Sequence, residues 1–143
     1  VDAPSADADS TVVWASKDPA GVAAGITLCR AFRRKSGEPI GAGRAFTLAD
    51  DAKVRALVRL RGLPEDGGRA LMFHVVWLGP GNDEIYTKRV DLVPEGTEGE
   101  LRSAISIPPH RRDPGIYALR VYLFRELIAE KRFELLPGEP PST

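Results

Sequence analysis

The chain has one cysteine, two histidines, a single asparagine and no glutamine. A lone Cys29 rules out an internal disulfide. Within an apolar, strand-like stretch such a residue reads first as a small buried hydrophobe, with a reactive thiol as the other reading. The histidines, His74 and His110, stand far apart. There is no His-Glu-x-x-His, no paired Cys-x-x-Cys and no spaced His/Cys set, so neither a metal nor any other cofactor is expected. No serine sits in Gly-x-Ser-x-Gly, and no Ser-His-Asp set is marked out, so no catalytic residue is assigned and no enzyme is expected. No stretch of about eighteen apolar residues occurs, so no membrane-spanning helix is expected. Twenty basic side chains balance twenty acidic ones, which leaves no charge excess to attract nucleic acid. A sustained 3.6-residue apolar repeat is also missing.

What is present is alternation. Strand-like runs fall at about 26–33, 44–48, 53–62, 70–78, 84–93, 100–107, 115–125 and 127–136. Between them lie KSGEPIGAG, PEDGG, GPGND, PEGTEG and PPHRRDPG, which carry turn chemistry. VRALVRLRG places Val54, Ala56, Val58 and Leu60 on one side and Arg55, Arg59 and Arg61 on the other, as in a sheet with one wet face. ELIAEKRFELL has helical propensity. Its alternation instead puts Leu127, Ala129, Lys131, Phe133 and Leu135 on one face, and a tight turn around Arg125–Glu126 makes a hairpin with the preceding strand. Short strands at such spacing predict an all-β antiparallel sandwich of about seven to eight strands, in a chain of 143 residues that is long enough for one core.

The segment DPGIYAL resembles the Asp-x-Gly-x-Tyr pattern that precedes strand F of immunoglobulin-like domains, with the match at Asp113, Gly115 and Tyr117. In FHVVWLGPG, Trp77 stands where such domains keep a core tryptophan on strand C. The stretch from Ile26 to Leu136 is similar to bacterial immunoglobulin-like or fibronectin-III-like modules. The resemblance implies structural roles for Tyr117, whose hydroxyl would tie back to nearby backbone, and for Trp77. Leu119 occupies the place of the second disulfide cysteine, so the disulfide-bonded subclass is excluded. The fold hosts many roles, and the resemblance implies none of them by itself.

The expected organisation is a flexible segment or linker over 1–25, the sandwich over 26–137 and a disordered tail over 138–143. The opening VDAPSADADS has no initiator Met and is built of small, acidic and turn-forming residues, as chains are after a leader is removed. The expectation is a secreted or periplasmic protein, or one held at the cell surface.

If Phe73, Val75 and Trp77 face the core, Met72, His74, Val76 and Leu78 face outward. If Tyr117, Leu119, Val121 and Leu123 face the core, then Ile116, Ala118, Arg120, Tyr122 and Phe124 face out. Val76, Leu78, Arg120, Tyr122 and Phe124 are the expected interaction face, because an apolar sheet face is normally covered. Its cover is the chain's own TVVWA segment, a second copy, or an unknown protein partner. The reading is a non-catalytic interaction or structural module. The alternative is a carbohydrate-binding module that stacks sugars on Tyr122, Phe124, Tyr86 and Trp14. The scarcity of amide side chains counts against it. Two loops remain: PPHRRDPG, a solvated turn or an anion-binding loop, and GPGNDE, a hairpin turn or a weak calcium site.

Overall fold

A computed structural model describes residues 11–12, 22–64 and 70–138. Among the described residues eleven strands run in chain order: β1 (Thr11–Val12), β2 (Ala23–Cys29), β3 (Ala31–Phe32), β4 (Pro39–Ile40), β5 (Ala45–Thr47), β6 (Lys53–Arg61), β7 (Leu71–Leu78), β8 (Glu84–Leu92), β9 (Glu98–Ser106), β10 (Gly115–Leu123) and β11 (Glu126–Leu136). One sheet has the order β1-β11-β10-β7-β8, with β5 also paired to β11. The other has the order β2-β6-β9, and β3 and β4 form a separate hairpin. All pairings are antiparallel except that of β5 with β11. Among the described residues no helix is long and apolar enough to cross a membrane.

The pleat decides which side chains meet between the sheets. From the large sheet come Phe73, Val75 and Trp77 of β7, Tyr117, Leu119, Val121 and Leu123 of β10, and Phe133 and Leu135 of β11. From the small sheet come Ile26 and Leu28, Val54, Ala56, Val58 and Leu60, and Leu101 and Ile105; all are buried. Trp77 sits at the centre. Its ring meets Phe133 edge-on at 5.9 Å and 85°. Its indole nitrogen crosses to the other sheet and donates a 2.9 Å bond to Ser103 Oγ. Phe133 also meets Phe46 and Tyr117, so one aromatic cluster ties β5, β7, β10 and β11 together.

The start of β10 explains the Asp-x-Gly-x-Tyr pattern. Gly115 has φ of +152°, and a Cβ there would lie 3.2 Å from Pro80, so both backbone and space call for glycine. Tyr117 is 3% exposed, and its hydroxyl donates a 2.7 Å bond to the carbonyl of Asp113. This closes the corner by which the chain enters β10. Two sheets, these crossings and this corner make the molecule an all-β immunoglobulin-like sandwich without a disulfide.

Thr11–Val12 pair with Glu130 and Ala129 at the edge of β11. The rest of TVVWAS, with Trp14, lies outside the described residues, as do 1–10, 65–69 and 139–143. The 31–40 stretch was expected to be strand end and loop. It forms the β3–β4 hairpin, where Arg102 lies 4.5 Å over the Phe32 ring. The outer side of β2 is not wet. Cys29 is fully buried, Thr27 is 6% exposed, and on β6 Leu57 is 2% exposed.

Candidate interaction face

The outer face of the large sheet can be built row by row from its register. Arg89, His74, Tyr122 and Leu127 form one row across β8, β7, β10 and β11. Thr87, Val76, Arg120 and Glu130 form the next, and Glu84, Leu78, Ala118 and Arg132 a third. Ile116 and Glu134 continue it. The centre is apolar: Val76 is half-buried, while Leu78 and Ala118 are 6% and 7% exposed. Ile116, at 54%, is the most open apolar side chain on it.

Charges frame this centre. Arg120 Nε lies 2.6 Å from Glu130 Oε2, and Arg132 Nε lies 3.5 Å from the other oxygen of the same carboxylate. The bond to Glu130, and after it one to Tyr122, hold the Arg120 guanidinium still more firmly protonated than usual. On the opposite flank Arg89 pairs with Asp91 at 3.2 Å. The expected surface of β7 and β10 alone was largely apolar. The structure shows a narrower apolar strip with charged borders, because β8 and β11 bring their own polar side chains to the same face.

Two of the five expected residues sit differently. Leu78 points to the outer face but is nearly covered, at 6% exposed, beside a bulge at Trp77/Leu78. Phe124 is not on the face. It has left β10 for a left-handed conformation (φ 48°), followed by Arg125 (φ 69°), and it packs against the core. A second bulge at Val121/Tyr122 precedes it. The turn is thus Phe124–Arg125, one residue earlier than expected. Val76, Arg120 and Tyr122 remain together, joined by Ala118 and Ile116.

The aromatics expected for sugar stacking do not share a platform. Tyr122 is on the outer face beside His74, whereas Tyr86 pairs with inward-facing Trp77 and so belongs to the opposite face. The loops are turns. In PPHRRDPG the amides of Arg111 and Arg112 both bond the Pro108 carbonyl, and Arg112 Nε bonds the Ser106 carbonyl. His110 lies 4.0 Å from Asp50 on the exposed surface. In GPGNDE, Gly79 N bonds Asp83 O, and Asn82 N bonds Gly79 O. Cys29 is inaccessible, and burial pushes its thiol pKa up despite backbone bonds and the nearby Arg55 and Arg102.

One feature had no signal in the sequence. A concavity of about 430 Å³ opens at the end of the sandwich, lined by Arg30, Lys53 and Arg55 beside Phe46 and Ile107. Its residues come from separate elements, and no local motif joins them.

No family model and no curated protein matches the chain. Among solved structures, an immunoglobulin-like protein from Pseudomonas aeruginosa is similar at 20% identity and a TM-score of 0.49, covering 90% of this chain and 99% of that one. An alkylpurine DNA glycosylase of Pseudomonas fluorescens, bound to DNA containing an abasic site analogue, is 14% identical with a TM-score of 0.48. That match covers 77% of this chain but 30% of the glycosylase. The CARDB domain of a Pyrococcus furiosus protein, in complex with di-metal ions, is 11% identical with a TM-score of 0.41, over 80% and 88% of the two chains.

Proposed function

We propose that the chain is a non-catalytic, extracytoplasmic β-sandwich module that docks a protein partner on the outer face of its large sheet. The observation that carries this is the face's composition. An apolar strip of Val76, Leu78, Ala118 and Ile116 is bordered by ion-paired charges of both signs, with Arg120 beside Val76 and Tyr122 in the next row at the end of the strip. Protein interfaces have this anatomy, an apolar centre inside a polar rim, with Tyr and Arg as frequent anchors. A rim of both signs favours a partner with a mixed polar rim over a polyanion.

A non-catalytic reading fits the placement of the reactive side chains. His74 neighbours Arg89 and Tyr122, His110 sits on an exposed turn, and Cys29 is buried. The placement outside the cytoplasm is tested by fractionation of the native host.

The docking test compares wild type with Val76→Glu and Tyr122→Glu, and with Arg61→Glu on the other sheet as control. A partner captured by wild type is purified and titrated back. The expected result is loss of binding in both face variants, with unchanged circular dichroism, and retention in the control. A partner indifferent to both face variants would overturn the assignment. A wild-type dimer abolished by Val76→Glu would replace the foreign partner by a second copy.

A further inference from the structure

We propose that the concavity at the end of the sandwich, between β5 and the start of β6, binds a small organic carboxylate, with Arg55 as its anchor and Lys53 and Arg30 at its rim. The volume of about 430 Å³ lies in the range of small-ligand pockets, about 300–1,000 Å³. Three cationic side chains line it against one carboxylate, Asp51. Arg30, Lys53 and Arg55 form no ion pair among the described residues, whereas Arg89, Arg102, Arg120 and Arg132 all do.

Arg55 carries the argument. It stands on the outer side of β6 between Cys29 and Ala104, neither of which offers an acidic group. Its Nε is buried and has no hydrogen-bond partner. A buried donor without an acceptor is costly, and native structures rarely leave one without a reason. The planar guanidinium fork fits the paired oxygens of an oxyanion, carboxylate or phosphate. The remaining lining is apolar apart from Thr47, and Phe46, Ala49, Ala52 and Ile107 would receive the ligand's body. An oxyanion joined to a compact apolar group therefore matches both halves of the pocket. Arg59 and Arg61, further along the same strand, do not line it.

The test is an NMR titration of the full chain at low salt with benzoate, hexanoate and inorganic phosphate. Saturable shifts at Phe46, Ile107 and the start of β6 are expected with the two carboxylates. Arg55→Gln should weaken them by roughly tenfold or more, as losing a charge-assisted bond does. Lys53→Gln, at an exposed position, should weaken them less, and Arg89→Gln on the other sheet not at all. If Arg55→Gln does not fold, Lys53→Gln and the salt dependence decide. Absence of saturable shifts with either carboxylate, or shifts indifferent to both variants, would overturn the proposal. Phosphate binding as tightly as benzoate would also overturn it, because the apolar lining would then be idle.

Discussion

Replacing Ser103 by alanine tests how the two sheets are held in register. Ser103 is 8% exposed, and Trp77, from the other sheet, is fully buried. Their 2.9 Å bond is a direct polar link between side chains of the two layers. Ser103→Ala leaves the indole N–H in the core with no acceptor, which costs about 1–3 kcal/mol. Trp77→Phe keeps an aromatic against Phe133 but removes the donor and part of the volume, and so leaves Ser103 Oγ unsatisfied. Trp77→Ala empties the centre of the core and should cost about 3–5 kcal/mol, a large share of the 5–15 kcal/mol that holds a domain folded. The Trp77→Phe/Ser103→Ala double variant has no orphaned polar atom at the pair. Its loss should therefore fall short of the summed single losses by about 1 kcal/mol. Urea unfolding followed by far-ultraviolet circular dichroism measures wild type and the four variants. Additive losses, or a Ser103→Ala midpoint equal to wild type, would show that the bond does not contribute and that the packing at the centre is differently arranged.

Tyr117→Phe deletes the 2.7 Å bond to Asp113 and should lower stability by about 1 kcal/mol, read from the same unfolding curves, while leaving partner binding intact. Arg125, exposed at φ 69° in the β10–β11 turn, holds a conformation that costs a non-glycine residue about 1–2 kcal/mol. Glycine returns about 0.5–1 kcal/mol of this as unfolded-state entropy, so Arg125→Gly should raise stability by about 0.5–1 kcal/mol, and a lower urea midpoint would contradict the turn geometry. Burial raises the Cys29 thiol above its ordinary value of 9.0. The folded chain keeps that proton when the unfolded chain has released it, so this contribution is complete below about pH 9 and is lost as pH rises further. Stability measured across that range should fall less steeply in Cys29→Ala, and identical slopes would remove the thiol from the account.

The strands were legible because alternation is a local signal. β7, β8 and β10 begin within a residue of their expected starts, and alternation put Lys131 on the same face of β11 as Phe133 and Leu135, which is the core side. It is there, 1% exposed, with its ammonium 3.4 Å from the Ile26 carbonyl. The Asp-x-Gly-x-Tyr pattern was legible because glycine and tyrosine are each demanded by one local geometry. The β3–β4 hairpin was not legible: its strands are two residues long, and the contact of Phe32 with Arg102 of β9 is a tertiary fact. Phe124 was misplaced because the chain leaves β10 there for a left-handed turn conformation (φ 48°), which leaves no mark in the apolar pattern. The charged borders of the outer face, and the pocket around Arg55, depend on which strands become neighbours, and spacing along the chain does not encode that.

The central claim is that β7 separates a core from a contact face, with Val75 on one side and Val76 on the other. Equilibrium unfolding of Val75→Asp beside Val76→Asp tests it most directly. An unpaired carboxylate at fully buried Val75 should abolish cooperative folding, because a buried charge without a partner costs several kcal/mol. At half-buried Val76 the same group reaches water near Arg120, and the variant should fold with a loss of about 1 kcal/mol or less while losing its partner. Equal collapse of both variants would mean that the outer face is core as well, and that no contact surface is present there.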